Sequence, residues 1–170
     1  MQEEFKSFGE NAVVYPMARI IKPEVIEIGP FTKIDDFTFI YGGRGIKIGR
    51  YVHIASFVSI IGGGELYVGD YAAIAAGARI ITGTDTYEGG ARMSAALPKE
   101  QRNAQLEKVI IEKDAFVGTN AVVHPKVIIG EGAIVGSCSL VLEDCEPWTI
   151  YVGVPCKPIG MRPRVDRPDI

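Results

Sequence analysis

The stretch Ile28-Gly29-Pro30-Phe31-Thr32-Lys33-Ile34-Asp35-Asp36-Phe37-Thr38-Phe39-Ile40 returns an aliphatic residue at every sixth place. Twenty residues on, Ile48, Ile54 and Ile60 repeat the spacing, and Val68, Ile74 and Ile80 repeat it again. Toward the start, Phe8, Val14 and Ile20 carry it back one more unit. Each 20-residue unit is three six-residue steps with two extra residues at one place, in Ile21-Lys22-Pro23-Glu24, Tyr41-Gly42-Gly43-Arg44-Gly45 and Ile61-Gly62-Gly63-Gly64-Glu65. These are turn compositions that let the chain bulge at a corner. From Ile111 the ladder runs without extras through Val117, Val123, Ile129, Val135 and Val141, so six coils are countable.

A six-residue step is too short for a helical repeat and fits one short strand plus a bend. Three such steps close one turn of a triangular prism. The aliphatic residue points inward, where copies from successive coils stack, and the small residue after it, as in Gly9, Gly29, Gly49 and Gly69, fits the crowded turn. A single coil cannot bury its face, so stacking supplies the core. At about 1.5–3 kcal/mol for each fully buried aliphatic side chain, the ladder is the main driving force.

The rest of the composition bounds the function. With 170 residues, 47% hydrophobic and 23% charged, one folded domain over 1–170 is expected rather than a disordered chain. A net charge of −3 lacks the basic footprint of a nucleic-acid binder. The acidic opening Met1-Gln2-Glu3-Glu4 is unlike a signal peptide and no apolar run approaches the ~18 residues of a membrane span, so a cytoplasmic protein without membrane insertion is expected. Cys138, Cys145 and Cys156 contain no C-x-x-C pair and read as free thiols.

The steps Ile28-Gly29-Pro30-Phe31-Thr32-Lys33 and Ile129-Gly130-Glu131-Gly132-Ala133-Ile134 resemble those of the hexapeptide-repeat acyltransferases. The ending Gly153-Val154-Pro155-Cys156-Lys157 resembles the family's closing G-x-P-A-K, with cysteine where alanine is common. Ile34-Asp35-Asp36-Phe37, Val52-His53-Ile54-Ala55 and Gly83-Thr84-Asp85-Thr86-Tyr87 look like a subgroup associated with bacterial surface-polysaccharide pathways. The resemblance implies an all-β fold, a left-handed parallel β-helix over about 8–159. That handedness runs against the usual right-handed crossover. It also implies acetyl-CoA as co-substrate, a sugar or nucleotide-sugar acceptor, and a homotrimer with sites between chains.

After Val68 the ladder is due at position 88 and reappears at Ile111, so 23 residues are inserted, giving an extruded loop over about 86–108. Irregular segments of this length are usually functional or disordered, and the family extrudes a substrate-site wall at a comparable place. Residues 160–170 read as an extended tail, and Trp148, beside Pro147, as a cover for the open end or edge of the core.

Acyl transfer from a thioester needs a base for the attacking amine or hydroxyl. The chain has two histidines. His53 shares its register with Val13, Lys33 and Ala73, and Asp35 and Asp36 begin the next strand of the coil before, where they can orient an imidazole. Where the family often places a histidine, at the loop, this chain has Thr84-Asp85-Thr86-Tyr87. The catalytic candidates are therefore His53 and Asp85, with Glu88 and His124 as alternatives. A carboxylate needs burial to raise its pKa before it can serve. Asp35, Asp36, Tyr87 and Glu88 are the acceptor-binding candidates. The resemblance implies Gly136, Ser137 and Ser139 along the coenzyme arm and Lys157 near its phosphates; Arg162 and Arg164 match no family motif and read as part of a solvated tail. No metal is expected, because His53 and His124 are too few for a three-histidine zinc site of the carbonic-anhydrase kind. A non-catalytic solenoid scaffold is the other alternative.

Overall fold

In a computed structural model describing residues 4–170, the chain winds as a left-handed parallel β-helix. Met1, Gln2 and Glu3 of the acidic opening lie outside the described part. Face one stacks Ser7–Phe8, Ile26–Ile28, Gly45–Ile48, Glu65–Val68, Lys108–Ile111 and Ile128–Ile129 in parallel. Face two stacks Val13–Val14, Lys33–Ile34, His53–Ile54, Ala73–Ile74, Phe116–Val117, Ile134–Val135 and Thr149–Gly153. Face three stacks Arg19–Ile21, Phe39–Tyr41, Ser59–Ile61, Arg79–Ile81, Val122–Val123 and Leu140–Val141.

The register is the one the sequence ladder demands. Phe8 lies opposite Ile28, Ile28 opposite Ile48, Ile48 opposite Val68, and Val68 opposite Ile111 across the insertion. Ile34, Ile54, Ile74, Ile40, Ile60 and Ile80 are wholly buried. A second inward set comes two residues before the ladder at two of the corners: Thr32, Val52, Ala72, Ala115 and Ala133 at one, Thr38, Val58, Ala78 and Ala121 at the other. The buried Thr32 hydroxyl donates to the Gly49 carbonyl at 2.7 Å and accepts from the Val52 N–H at 3.1 Å, which removes the penalty of enclosing it. At Gly29 a Cβ would come within 2.5 Å of the Gly49 carbonyl group, so the tight corner admits only glycine there.

Beyond the six coils counted from the sequence lies a shorter seventh, in which Cys145 bridges to Ile129 and Tyr151 pairs with Val135. The ends are closed by residues without periodicity. At the first coil Phe5 packs against Phe8 with ring centroids 5.4 Å apart. At the last, Cys156–Met161 turns back antiparallel on Thr149–Gly153. Trp148, expected over the core's end or edge, instead lies on an outer corner against Gly132, with the Arg162 and Arg164 guanidinium groups 5.7 and 5.3 Å from its ring.

The tail then runs back along this corner. Arg162 donates to the Asp114 and Gly132 carbonyls, Lys113 pairs with Asp169 at 2.6 Å, and the Ile170 backbone meets the Tyr71 hydroxyl. The Arg162 guanidinium is thus held by the corner, whereas Arg164 stays exposed beside the Trp148 ring. Among the described residues no helix is long and apolar enough to cross a membrane.

Candidate active site

His53 stands on the outer side of face two between Lys33 and Ala73. Its neighbour in the sequence, Ile54, faces the core, so strand alternation alone turns the imidazole outward. Nε2 lies 3.0 Å from the Asp35 carboxylate, and the imidazole keeps 52% of its side-chain surface exposed. A carboxylate only accepts, so Nε2 carries the proton; in the neutral imidazole the lone pair then sits on Nδ1. Asp36, the other expected partner, faces the coil before and accepts from the Met17 N–H at 2.8 Å. It braces a turn and does not touch His53.

The corner that follows face two carries Asp35-Asp36-Phe37, Ala55-Ser56-Phe57, Ala75-Ala76-Gly77, Gly118-Thr119-Asn120 and Gly136-Ser137-Cys138 in successive coils. In the coils above His53 this corner carries mostly small residues. Gly136 and Ser137 lie three strand spacings up from His53, through Ala73, Phe116 and Ile134, which is roughly 14 Å. Ser137 is exposed there, and Lys157 is exposed on the terminal strand opposite Val152, whose side chain fills the space beside Gly136. Ser139 was expected beside them but is buried: its hydroxyl accepts from the Gly153 N–H at 3.1 Å and so fixes the final hairpin.

The insertion leaves from the corner between faces three and one, away from His53. Its base is a two-stranded antiparallel stem, Gly83–Asp85 against Ala104–Leu106. Asp85, the carboxylate alternative for the base, closes this stem. Arg102 Nε donates to Oδ1 at 3.1 Å and its terminal nitrogen to Oδ2 at 2.9 Å, with 9% of the aspartate side chain exposed. Both carboxylate oxygens are thus engaged by the Arg102 guanidinium. Tyr87 is exposed, and Glu88, also exposed, accepts from Gln105 at 3.3 Å. Neither meets His53 within the chain. Between loop and coils, Tyr41, Gly62 and Gly63 face Lys99, Arg102 and Asn103 across a cavity of about 690 Å³. His124 is half-buried just after Val123 on face three, on the strand next to Arg79–Ile81, from which the insertion leaves.

Among the described residues no cluster of three or more His, Cys, Asp or Glu is placed to hold a metal ion. Residues 108–143 match the bacterial transferase hexapeptide (six repeats) family. A curated Escherichia coli protein, dTDP-4-amino-4,6-dideoxy-D-glucose acyltransferase, is 40% identical over 93% of this chain and 83% of its own length. An Escherichia coli chloramphenicol acetyltransferase is 43% identical over 31% of the chain and 25% of its own. Among solved structures, AntD, an N-acyltransferase from Bacillus cereus in complex with dTDP and 3-hydroxybutyryl-CoA, superimposes with a TM-score of 0.90. It is 36% identical and covers 96% of this chain and 86% of its own.

Proposed function

This chain belongs to the bacterial hexapeptide-repeat acyltransferases, and from that premise we propose that it moves an acyl group, acetyl in the simplest case, from its CoA thioester to the amino group of a nucleotide-linked sugar. The observation that carries this reading is end-to-end similarity to a dTDP-amino-sugar acyltransferase, at 40% identity over 93% of the chain. It is supported by AntD, which was solved with dTDP and an acyl-CoA and spans the same fold.

His53 and the small residues at the corner above it fit the chemistry. The pantetheine arm lies along the corner from the Lys157 end toward His53, with Gly136 and Ser137 beside it. The acceptor nitrogen attacks the thioester carbon while His53 Nδ1 takes its proton, and Asp35 holds the imidazole in the tautomer that leaves Nδ1 open. The C–S bond then breaks, and the leaving sulfur receives the proton that His53 accepted. Amide and free CoA thiol are the products, and no external oxidant or metal enters the balance.

The loop emerges at a corner that its own His53 does not occupy. Three prisms side by side, each loop covering the His53 corner of a neighbour, give Tyr87 and Glu88 an acceptor to touch; a homotrimer is therefore part of the proposal. The test is thiol release from acetyl-CoA in the presence of nucleotide-linked amino sugars. The expected result is release that depends on dTDP-4-amino-4,6-dideoxyglucose and is absent with the corresponding 4-hydroxy sugar. Release that is independent of any acceptor, or no release at all, overturns the reading.

A further inference from the structure

Two phenylalanines beside the His53–Asp35 pair serve neither the core nor the acid–base chemistry. Phe37 and Phe57 are 49% and 60% exposed, a state that in large apolar rings grouped together marks an interaction site. Their rings stack 5.3 Å apart with 7° between planes. Both hold the left-handed corner conformation, at φ 63°. Below them the same corner position carries Met17, whose carbonyl accepts from the Phe37 N–H.

Above Phe57 the position is Gly77, whose N–H donates to the Ser56 carbonyl. No aromatic ring continues the stack above Phe57, which stays 60% exposed. The border of this ring is polar. The Asn120 carboxamide, from the next coil, occupies the space a Gly77 Cβ would fill. The Arg79 guanidinium is held at the same corner by the Phe57, Gly77 and Ala78 carbonyls.

We infer that Phe57, Asn120 and Arg79 form a nucleobase subsite, in which the base of the nucleotide-linked acceptor lies against the exposed part of the Phe57 ring, beside the Asn120 carboxamide that fills the space over Gly77. An aromatic face accepts any base plane, and a carboxamide lying beside that plane offers one donor and one acceptor to the base edge. Arg79 adds a fixed positive charge for a base carbonyl or the adjoining phosphate. Phe57 is four residues from His53, on the same coil, whereas Lys157 is five strand spacings away; the base is therefore assigned to the acceptor and not to the adenine of CoA.

This subsite rests on the nucleotide-linked acceptor proposed above. Calorimetric titration with dTDP and, separately, with CoA tests it on wild type, Phe57→Ala, Phe57→Tyr and Asn120→Ala. Phe57→Ala is expected to weaken dTDP binding about tenfold or more, Asn120→Ala about fivefold or more, and Phe57→Tyr to restore it, with CoA affinity, melting temperature and solution mass unchanged. Unchanged dTDP affinity in Phe57→Ala overturns the inference, as does a loss of CoA affinity in its place. A fall in solution mass with dTDP affinity intact also overturns it, assigning the ridge to a contact between copies. If wild type acylates a nucleotide amino sugar and Phe57→Ala keeps the same KM for it, the subsite alone fails. If wild type binds no dTDP and acylates no nucleotide-linked amine, both readings fall.

Discussion

His53 is placed by strand alternation and tuned by one neighbour, and its replacement gives the sharpest residue-level expectation. His53→Ala lowers kcat by about 10²–10⁴ with CoA affinity retained, and Asp35→Asn lowers it in the same direction by freeing the imidazole to turn. Steady-state kinetics on both variants checks this; near-normal turnover in His53→Ala moves the base to Asp85, Glu88 or His124. The His53–Asp35 approach was legible in the sequence because the 20-residue register puts residue 53 one coil above residue 33, beside 35. The Arg102 clamp on Asp85 was not legible, because it joins two points of an aperiodic segment. Cys145 gives a second expectation. Burial, with Cys156 nearby, pushes its thiol up from the ordinary 9.0 to about 12. Folding therefore favours the neutral thiol, and the stability this supplies is complete below pH ~9 and is lost as pH climbs toward about 12. Urea denaturation across that range should show wild type losing stability more steeply than Cys145→Ala.

The elements that break the ladder carry their own cross-braces. In the insertion the brace is the Asp85–Arg102 pair at the foot of a two-stranded stem. Arg102→Ala leaves a nearly buried carboxylate without its cation, which local opening of the loop relieves. Limited proteolysis should then cut the loop at least about tenfold faster while the thermal midpoint of the prism barely moves. Equal cutting rates in variant and wild type would mean that backbone pairing alone holds the stem. A 23-residue irregular stretch announced its position in the sequence but not its hairpin, since strands of three residues leave no period to read. The terminal strand Cys156–Met161 escaped for a similar reason: its pairing is antiparallel, and it contains Pro158 and Gly160, which lie outside any six-residue count.

At the scale of the whole molecule, one rule explains most of the chain: inward aliphatics at every sixth residue, stacked face over face from Phe8 to Tyr151. That rule is written in side-chain chemistry and so was open to reading, whereas the end caps Phe5 and Tyr151 and the outer-corner placement of Trp148 depend on where the stack stops. The prism's outer surface then separates the work. One corner holds His53, Asp35 and the phenylalanine ridge, another launches the loop, and the third is strapped by the tail. The most direct test of the account is transfer of isotopically labelled acetyl from acetyl-CoA to dTDP-4-amino-4,6-dideoxyglucose, read by mass spectrometry of the nucleotide sugar. The account predicts one labelled acetyl per sugar, held as an amide, with one CoA thiol released for each. Labelled acetate with the sugar unchanged would contradict it.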